Sequence, residues 1–364
     1  MIRVLADLLF FTGTKGGMES YVRQLYSALP ADGFEYTALA SRELAALDTS
    51  WFPGRVVDSG ISGDNRASWA RGELTAVSSA AARQRADVVH SPANIGPWAG
   101  RTPVVLTVHD LLPFTRPDFV PGRYGGALRT LVRLSARNAR RVLTISETTA
   151  RDLRSVLHID ESKIDVIPLA GHAVPPIHPL PRRADLLLAL GNRLPHKNFE
   201  GLLYGLALIT PHERPKLVIL GGSEPDPLAA VVDRLGLAEW VRLEGWLGSE
   251  EVDALYATAT ALIVPTLFEG FGLPLLEAMA RGCPVICSDL PVLREVAADA
   301  AVYFNPTDAH SIAAAIRSTF AEPQTLVRLA RKGLDRAGQF SWNRTAEATA
   351  LSFASVVDAR RARG

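Results

Sequence analysis

Glu269 and Glu277 enclose a segment whose residue types suit it to hold a polar ligand: Gly270-Phe271-Gly272-Leu273-Pro274-Leu275-Leu276. A carboxylate accepts paired hydrogen bonds, so each glutamate can grip vicinal hydroxyls of a ribose or a sugar ring. Gly270 and Gly272 permit a sharp turn and a close backbone approach to a ligand, and Pro274 suits the first position of a helix. The free amides and dipole of that helix attract an anion such as a phosphate. Either glutamate alone reads better as a surface charge. The pair around the glycines is what points to a site.

Cations stand earlier in the chain. Gly191-Asn192-Arg193-Leu194-Pro195-His196-Lys197-Asn198 follows an apolar run and opens a helical stretch. Lys197 and Arg193 are placed there to neutralise a diphosphate, although solvated loop cations would look the same. Thr12-Gly13-Thr14-Lys15-Gly16-Gly17 precedes a helix expected from Met18 to about Leu29. It fits either a glycine loop brought close to a ligand or a tight turn. His109-Asp110 ends another apolar run, either as a ligand contact or as a structural hydrogen bond.

The elements that position these residues alternate in type. Apolar runs at 2–11, 86–91, 103–110 and 141–147, then at 186–191, 217–222, 241–247, 261–264 and 301–304, are separated by helical stretches. That order predicts an α/β fold of parallel, doubly wound sheets, with ligands beyond the carboxyl ends of the strands. His109, Asp110, Ser146 and Glu147 fall at such ends, Ser146 also serving as a helix N-cap. Ser249 is read as the N-cap of a further helix, with Val252 at its third position. Pro168, Pro175, Pro176, Pro179 and Pro181 mark a linker over 171–184. It separates a first domain, 1–170, from a second, 185–342, before a final helix over 343–364.

The run from Glu269 through Glu277, followed by Gly282-Cys283-Pro284-Val285, resembles the E-x7-E signature of the retaining family 4 glycosyltransferases, also known as glycosyl transferases group 1. The resemblance implies the GT-B architecture, two Rossmann-like domains facing across a cleft, with the final helix returning to the first domain. It implies transfer of a sugar from a nucleotide diphosphate donor to an acceptor hydroxyl with retained configuration. On the matching positions, Glu277 holds the ribose and Glu269 the sugar hydroxyls. Lys197 and Arg193 meet the diphosphate with the amides of Phe271 to Leu273, and Gly17 and His109 approach the donor. His196 and Asn192 stand where relatives carry an arginine, so Arg193 is expected to substitute. Val108-His109-Asp110-Leu111-Leu112-Pro113 looks like a subset of mannosyltransferases, which implies GDP-mannose. UDP-glucose or UDP-N-acetylglucosamine enzymes, an epimerase of the same architecture and an inactive partner subunit are the alternatives.

Composition narrows the rest. At 364 residues, 48% hydrophobic and 21% charged, the chain is long and apolar enough for two full cores. A net charge of +1 argues against nucleic acid as a partner. The start Met1-Ile2-Arg3-Val4-Leu5-Ala6-Asp7 is unlike a signal peptide and no apolar run is long enough to span a bilayer, so a cytoplasmic protein is expected. Cys283 and Cys287 lie about 13 Å apart along a strand, too far for a disulfide. The 8 histidines form no ligand motif, so no metal and no cofactor beyond the donor is expected. Arg129, Arg133 and Arg137 recur every four residues on a helix expected over Arg123 to Arg141. Such a stripe fits either a solvated face or peripheral attachment to anionic lipid, with a lipid-linked glycan as acceptor.

Overall fold

The structure is a computed structural model describing residues 1–14, 16–171 and 185–362. The chain divides into two compact units, Met1–Leu169 with Ser341–Gly364, and Ala170–Phe340. The expected linker, Gly171 apart, lies outside the described residues, as does Lys15.

The first unit is built on seven strands: β1 (Ile2–Leu8), β2 (Phe34–Ala40), β3 (Arg55–Asp58), β4 (Val88–Ser91), β5 (Val104–Val108), β6 (Arg141–Thr144) and β7 (Ile164–Val166). They lie in the order β3-β2-β1-β4-β5-β6-β7, all pairings parallel. Helices cover both faces of such a sheet, so β1 and β5 read as nearly unbroken apolar runs. The helix Gly17–Ala28 buries Tyr21, Val22, Leu25 and Tyr26 on one side. The helix Trp342–Arg361 belongs to this unit. It buries Ala346, Ala350, Phe353 and Val357, and Thr345 Oγ1 donates to the Pro168 carbonyl at 2.7 Å.

The second unit carries β8 (Leu186–Leu190), β9 (Lys216–Leu220), β10 (Val241–Leu243), β11 (Ala261–Val264), β12 (Val285–Ser288) and β13 (Ala301–Phe304), in the order β10-β9-β8-β11-β12-β13, again parallel. Leu187, Leu217, Ile219, Ile263 and Ile286 pack with Leu202, Leu206, Ile312 and Ile316 of the covering helices. Cys283 and Cys287 are buried free thiols. In each unit the strand order reverses once, between β1 and β4 and between β8 and β11. At such a reversal the connections leave in opposite directions and open a crevice at the carboxyl ends.

Several elements depart from expectation. The first strand ends at Leu8 rather than Phe11, because the Phe11 amide turns back to the Leu8 carbonyl at 3.3 Å. Gly248, not Ser249, caps the helix Ser249–Thr258, and the third helical residue is Glu251, whose Oε2 accepts the Gly248 amide at 3.1 Å. The arginine stripe on the helix Gly122–Asn138 is not a single solvent face. Arg129 donates to the Pro113 carbonyl at 3.2 Å and Arg133 lies 5.4 Å over the Phe114 ring, whereas Arg137 is exposed. Four-residue steps drift by about 40° each around a helix, enough to turn two of the three toward the fold.

Candidate functional site

The loops after β8 and β11 meet at the strand-order reversal of the second unit. The His196 carbonyl accepts the Leu267 amide at 2.7 Å and Thr266 Oγ1 at 2.9 Å. Asn198, at φ 56°, donates from Nδ2 to the carbonyls of Pro265 at 2.9 Å and Pro306 at 2.8 Å. This stitching brings Lys197 Nζ to 2.8 Å from Glu269 Oε2 across 72 positions of sequence. The two side chains are only 22% and 17% exposed, so water screens the pair weakly. An ammonium has three donors, so one bond to Glu269 leaves capacity for a phosphate.

Gly272 begins the next helix, Leu273–Ala280, from φ 104°, a left-handed conformation that disfavours any other residue. Pro274 is therefore the second helical residue and not the first. The Phe271 side chain packs inward against Phe340, ring centroids 6.1 Å apart, so only its backbone can face a ligand. Glu277 lies one turn into the helix, where Oε2 accepts the Tyr256 hydroxyl at 3.1 Å. Lys197, Glu269 and the helix that bears Glu277 are thus assembled in one unit.

Arg193 is a correction. Its guanidinium is 7% exposed and bonds Asp226 through Nε and Nη2, the shortest contact being 2.8 Å. Nη1 donates to the carbonyls of Gly191 at 3.1 Å and Leu220 at 2.9 Å, and Nη2 to Ile219 at 3.1 Å. A guanidinium has five N–H groups, and all five are engaged by the protein, so Arg193 cannot replace the missing phosphate arginine. His196 cannot either. Burial and the Lys197 charge lower its pKa to about 4, which leaves it neutral near pH 7. Lys197 is the cation the loop offers.

In the first unit, burial lowers the His109 pKa to about 4, so its imidazole is neutral too. Nε2 lies 2.7 Å from the Pro92 carbonyl, which can only accept, so the proton sits on Nε2 and Nδ1 is the acceptor. Asn94 Oδ1 accepts the His109 amide at 2.6 Å and Tyr21 meets the ring edge-on at 4.9 Å. Gly17 opens its helix, and a Cβ built there meets nothing within 4 Å. Glu19 holds the loop before it: Oε1 accepts the amides of Thr12 at 2.6 Å and Gly13 at 3.1 Å. Glu19, Asn198 and Tyr256 were not singled out from sequence. Asn198 beside the lysine and Glu19 two residues past the glycines carried the available signal.

Residues 15–170 match the family described as Glycosyltransferase Family 4, and residues 173–336 match Glycosyl transferases group 1. The chain is 32% identical over 253 residues to the O-antigen chain mannosyltransferase B of Escherichia coli, covering 65% of this chain and 66% of that one. It is 33% identical over 250 residues to the O-antigen chain mannosyltransferase RfbU of Salmonella typhimurium, covering 66% and 69%. The chain thus aligns with about two thirds of the length of these relatives. The structure of HepE from Anabaena, solved with UDP and glucose, superposes with a TM-score of 0.75 at 18% identity over 98% of this chain and all of that one. Two parallel Rossmann-like sheets, the Glu269–Glu277 segment and these matches place the chain in the group 1 glycosyltransferases of GT-B fold.

Proposed function

We propose that the protein transfers a hexose, mannose from GDP-mannose as first choice, from a nucleotide diphosphate donor to an acceptor hydroxyl during polysaccharide or glycolipid assembly. The observation that carries this reading is the Lys197–Glu269 pair at 2.8 Å, on loops that also lead into the helix bearing Glu277. Glu277 takes the ribose hydroxyls and Glu269 the sugar. Lys197, with the amides from Gly270 to Leu273, takes the departing diphosphate. As the glycosidic bond breaks, negative charge grows on that diphosphate, and preorganised donors stabilise it there. His109, neutral and with Nδ1 as acceptor, is assigned to a sugar hydroxyl by its motif. Retained configuration and turnover without a divalent ion belong to the same proposal.

Mannose is favoured by the mannosyltransferase relatives. The second reading, UDP-glucose, is favoured by the ligands of HepE. A thermal-shift screen with GDP-mannose, UDP-glucose and UDP-N-acetylglucosamine separates them. Ligand at 100 times its Kd stabilises a folded protein by about 2.7 kcal/mol. The screen is repeated in EDTA, and the anomeric configuration of the product is read by NMR. A midpoint unmoved by all three donors would overturn the reading.

A membrane-facing role for the first unit is proposed on a smaller surface than the sequence suggested. Trp98 is 50% exposed and Leu134 36%, and the bond from Asn138 Nδ2 to the Pro97 carbonyl at 2.9 Å brings the segment of Trp98 to the end of the helix that carries Leu134 and exposed Arg137, with exposed Arg140 just beyond it. No described helix is long and apolar enough to cross a membrane.

A further inference from the structure

Tyr256 lies on the helix Ser249–Thr258 and is 1% exposed. Burial and the adjacent Glu277 charge hold its phenol pKa well above the ordinary value, so it keeps its proton. It is therefore the donor in its 3.1 Å bond to Glu277 Oε2. The Arg281 guanidinium covers the ring at 5.2 Å, donates to the Glu277 carbonyl at 2.9 Å and pairs with Asp253. Asp253 and Tyr256 are three apart on one helix, and Glu277 and Arg281 are four apart along the next segment. Each pair shares a face, so the Tyr256–Glu277 bond, the Asp253–Arg281 pair and the Arg281–Tyr256 ring contact join the same two elements.

We propose that Tyr256 is a positioning residue that orients the Glu277 carboxylate for the ribose hydroxyls of the donor nucleotide. The inference rests on the proposed reading of Glu277 as the ribose ligand. A glutamate has three side-chain torsions, and ordering them on binding weakens affinity. A carboxylate can accept about four hydrogen bonds, so the bond from Tyr256 fixes the group without exhausting it. The Asp253–Arg281 pair and the Arg281–Tyr256 ring contact join the two elements without the Tyr256 hydroxyl, which separates orienting Glu277 from packing.

The test is calorimetric binding of GDP and UDP, and of their 2′,3′-dideoxy counterparts, to wild type and Tyr256→Phe. Phenylalanine keeps the ring under Arg281 and removes only the hydroxyl. Tyr256→Phe is expected to weaken the ribonucleotide about five- to tenfold and to leave the dideoxynucleotide unchanged. In a Glu277→Ala background the same substitution should have no further effect. An unfolded fraction lowers the binding stoichiometry but not the ratio of the two affinities, so partial loss of fold cannot imitate the result. Equal weakening of both nucleotides, or none of either, would overturn the positioning role and leave the glycosyltransferase reading standing. A wild type that binds neither GDP nor UDP would overturn both.

Discussion

Lys197 and Arg193 stand four residues apart on one loop and meet opposite environments. Arg193 is enclosed by carbonyls and Asp226, whereas Lys197 pairs with Glu269 and lies where two loops converge. Lys197→Ala should lower kcat by about two to three decades with little change in thermal midpoint, as for loss of one preorganised charge. Arg193→Ala should instead lower stability by about 3–5 kcal/mol, because it strands a buried Asp226, and change donor affinity per folded molecule by less than about twofold. Turnover and unfolding midpoint, measured together on both variants, decide this. The reverse pattern would mean that Arg193 is the phosphate cation.

Among the elements, two helix starts use glycine for different reasons. Gly272 needs its left-handed φ of 104°, and a Cβ there would fall 2.8 Å from Leu293 Cδ2. Gly17 has no such need in the protein itself, which suits a site kept open for a ligand. Gly17→Val should therefore change stability by no more than about 0.5 kcal/mol while lowering kcat/KM at least about tenfold. Gly272→Ala should cost about 1–3 kcal/mol through backbone strain. Full activity in a normally folded Gly17→Val enzyme would remove that loop from the site. The surface at the end of the helix Gly122–Asn138 offers a second test. Each arginine near an anionic surface contributes about 1 kcal/mol, so a Trp98→Ala/Arg137→Ala/Arg140→Ala variant should pellet less with anionic vesicles, and salt should weaken the wild type. Equal sedimentation of both proteins would favour an acceptor in solution.

At the scale of the whole molecule, one buried contact makes folding sensitive to pH. Asp7 on β1 and Glu73 on the helix Arg66–Arg83 are 1% and 2% exposed, and Asp7 Oδ1 and Glu73 Oε2 are buried with no hydrogen-bond partner among the described residues, so a proton kept on Glu73 lowers the charge buried there. Burial and then the Asp7 charge hold the Glu73 pKa well above the ordinary carboxyl value, while Trp69 Nε1 donates to Glu73 Oε1 at 2.6 Å and Ser91 Oγ to Asp7 Oδ2 at 2.9 Å. Above about pH 4.3 an unfolded glutamate gives up its proton while the folded one keeps it. The stabilisation is thus complete at low pH and is lost as the pH rises through the higher folded-state value. Glutamine is close in shape and does not ionise. The midpoint of Glu73→Gln, relative to wild type, should therefore climb as the pH is raised from 5 to 9. A difference that stays constant would mean that folded Glu73 does not hold its proton above the unfolded pKa.

The alternation of strands and helices, the glycine turn before the helix that bears Glu277, the Ser146 cap and the Glu269–Glu277 spacing were legible in the sequence, whereas β2, β3 and β7 were not. They depend on φ preferences and on neighbours within a few positions, which the chain carries locally. Only the tertiary structure decided where the long side chains went. Arg193 reaches Asp226 at 33 positions' remove, Lys197 reaches Glu269 at 72 and Tyr256 reaches Glu277 at 21. Arg129 and Arg133 found a carbonyl and a ring from a neighbouring segment, which no helical periodicity encodes. The physical reason is that an arginine, lysine or glutamate has several rotatable bonds and takes whatever partner packing brings near. Backbone geometry is set by the residue itself, and the choice of partner by the topology that brings β8 beside β11.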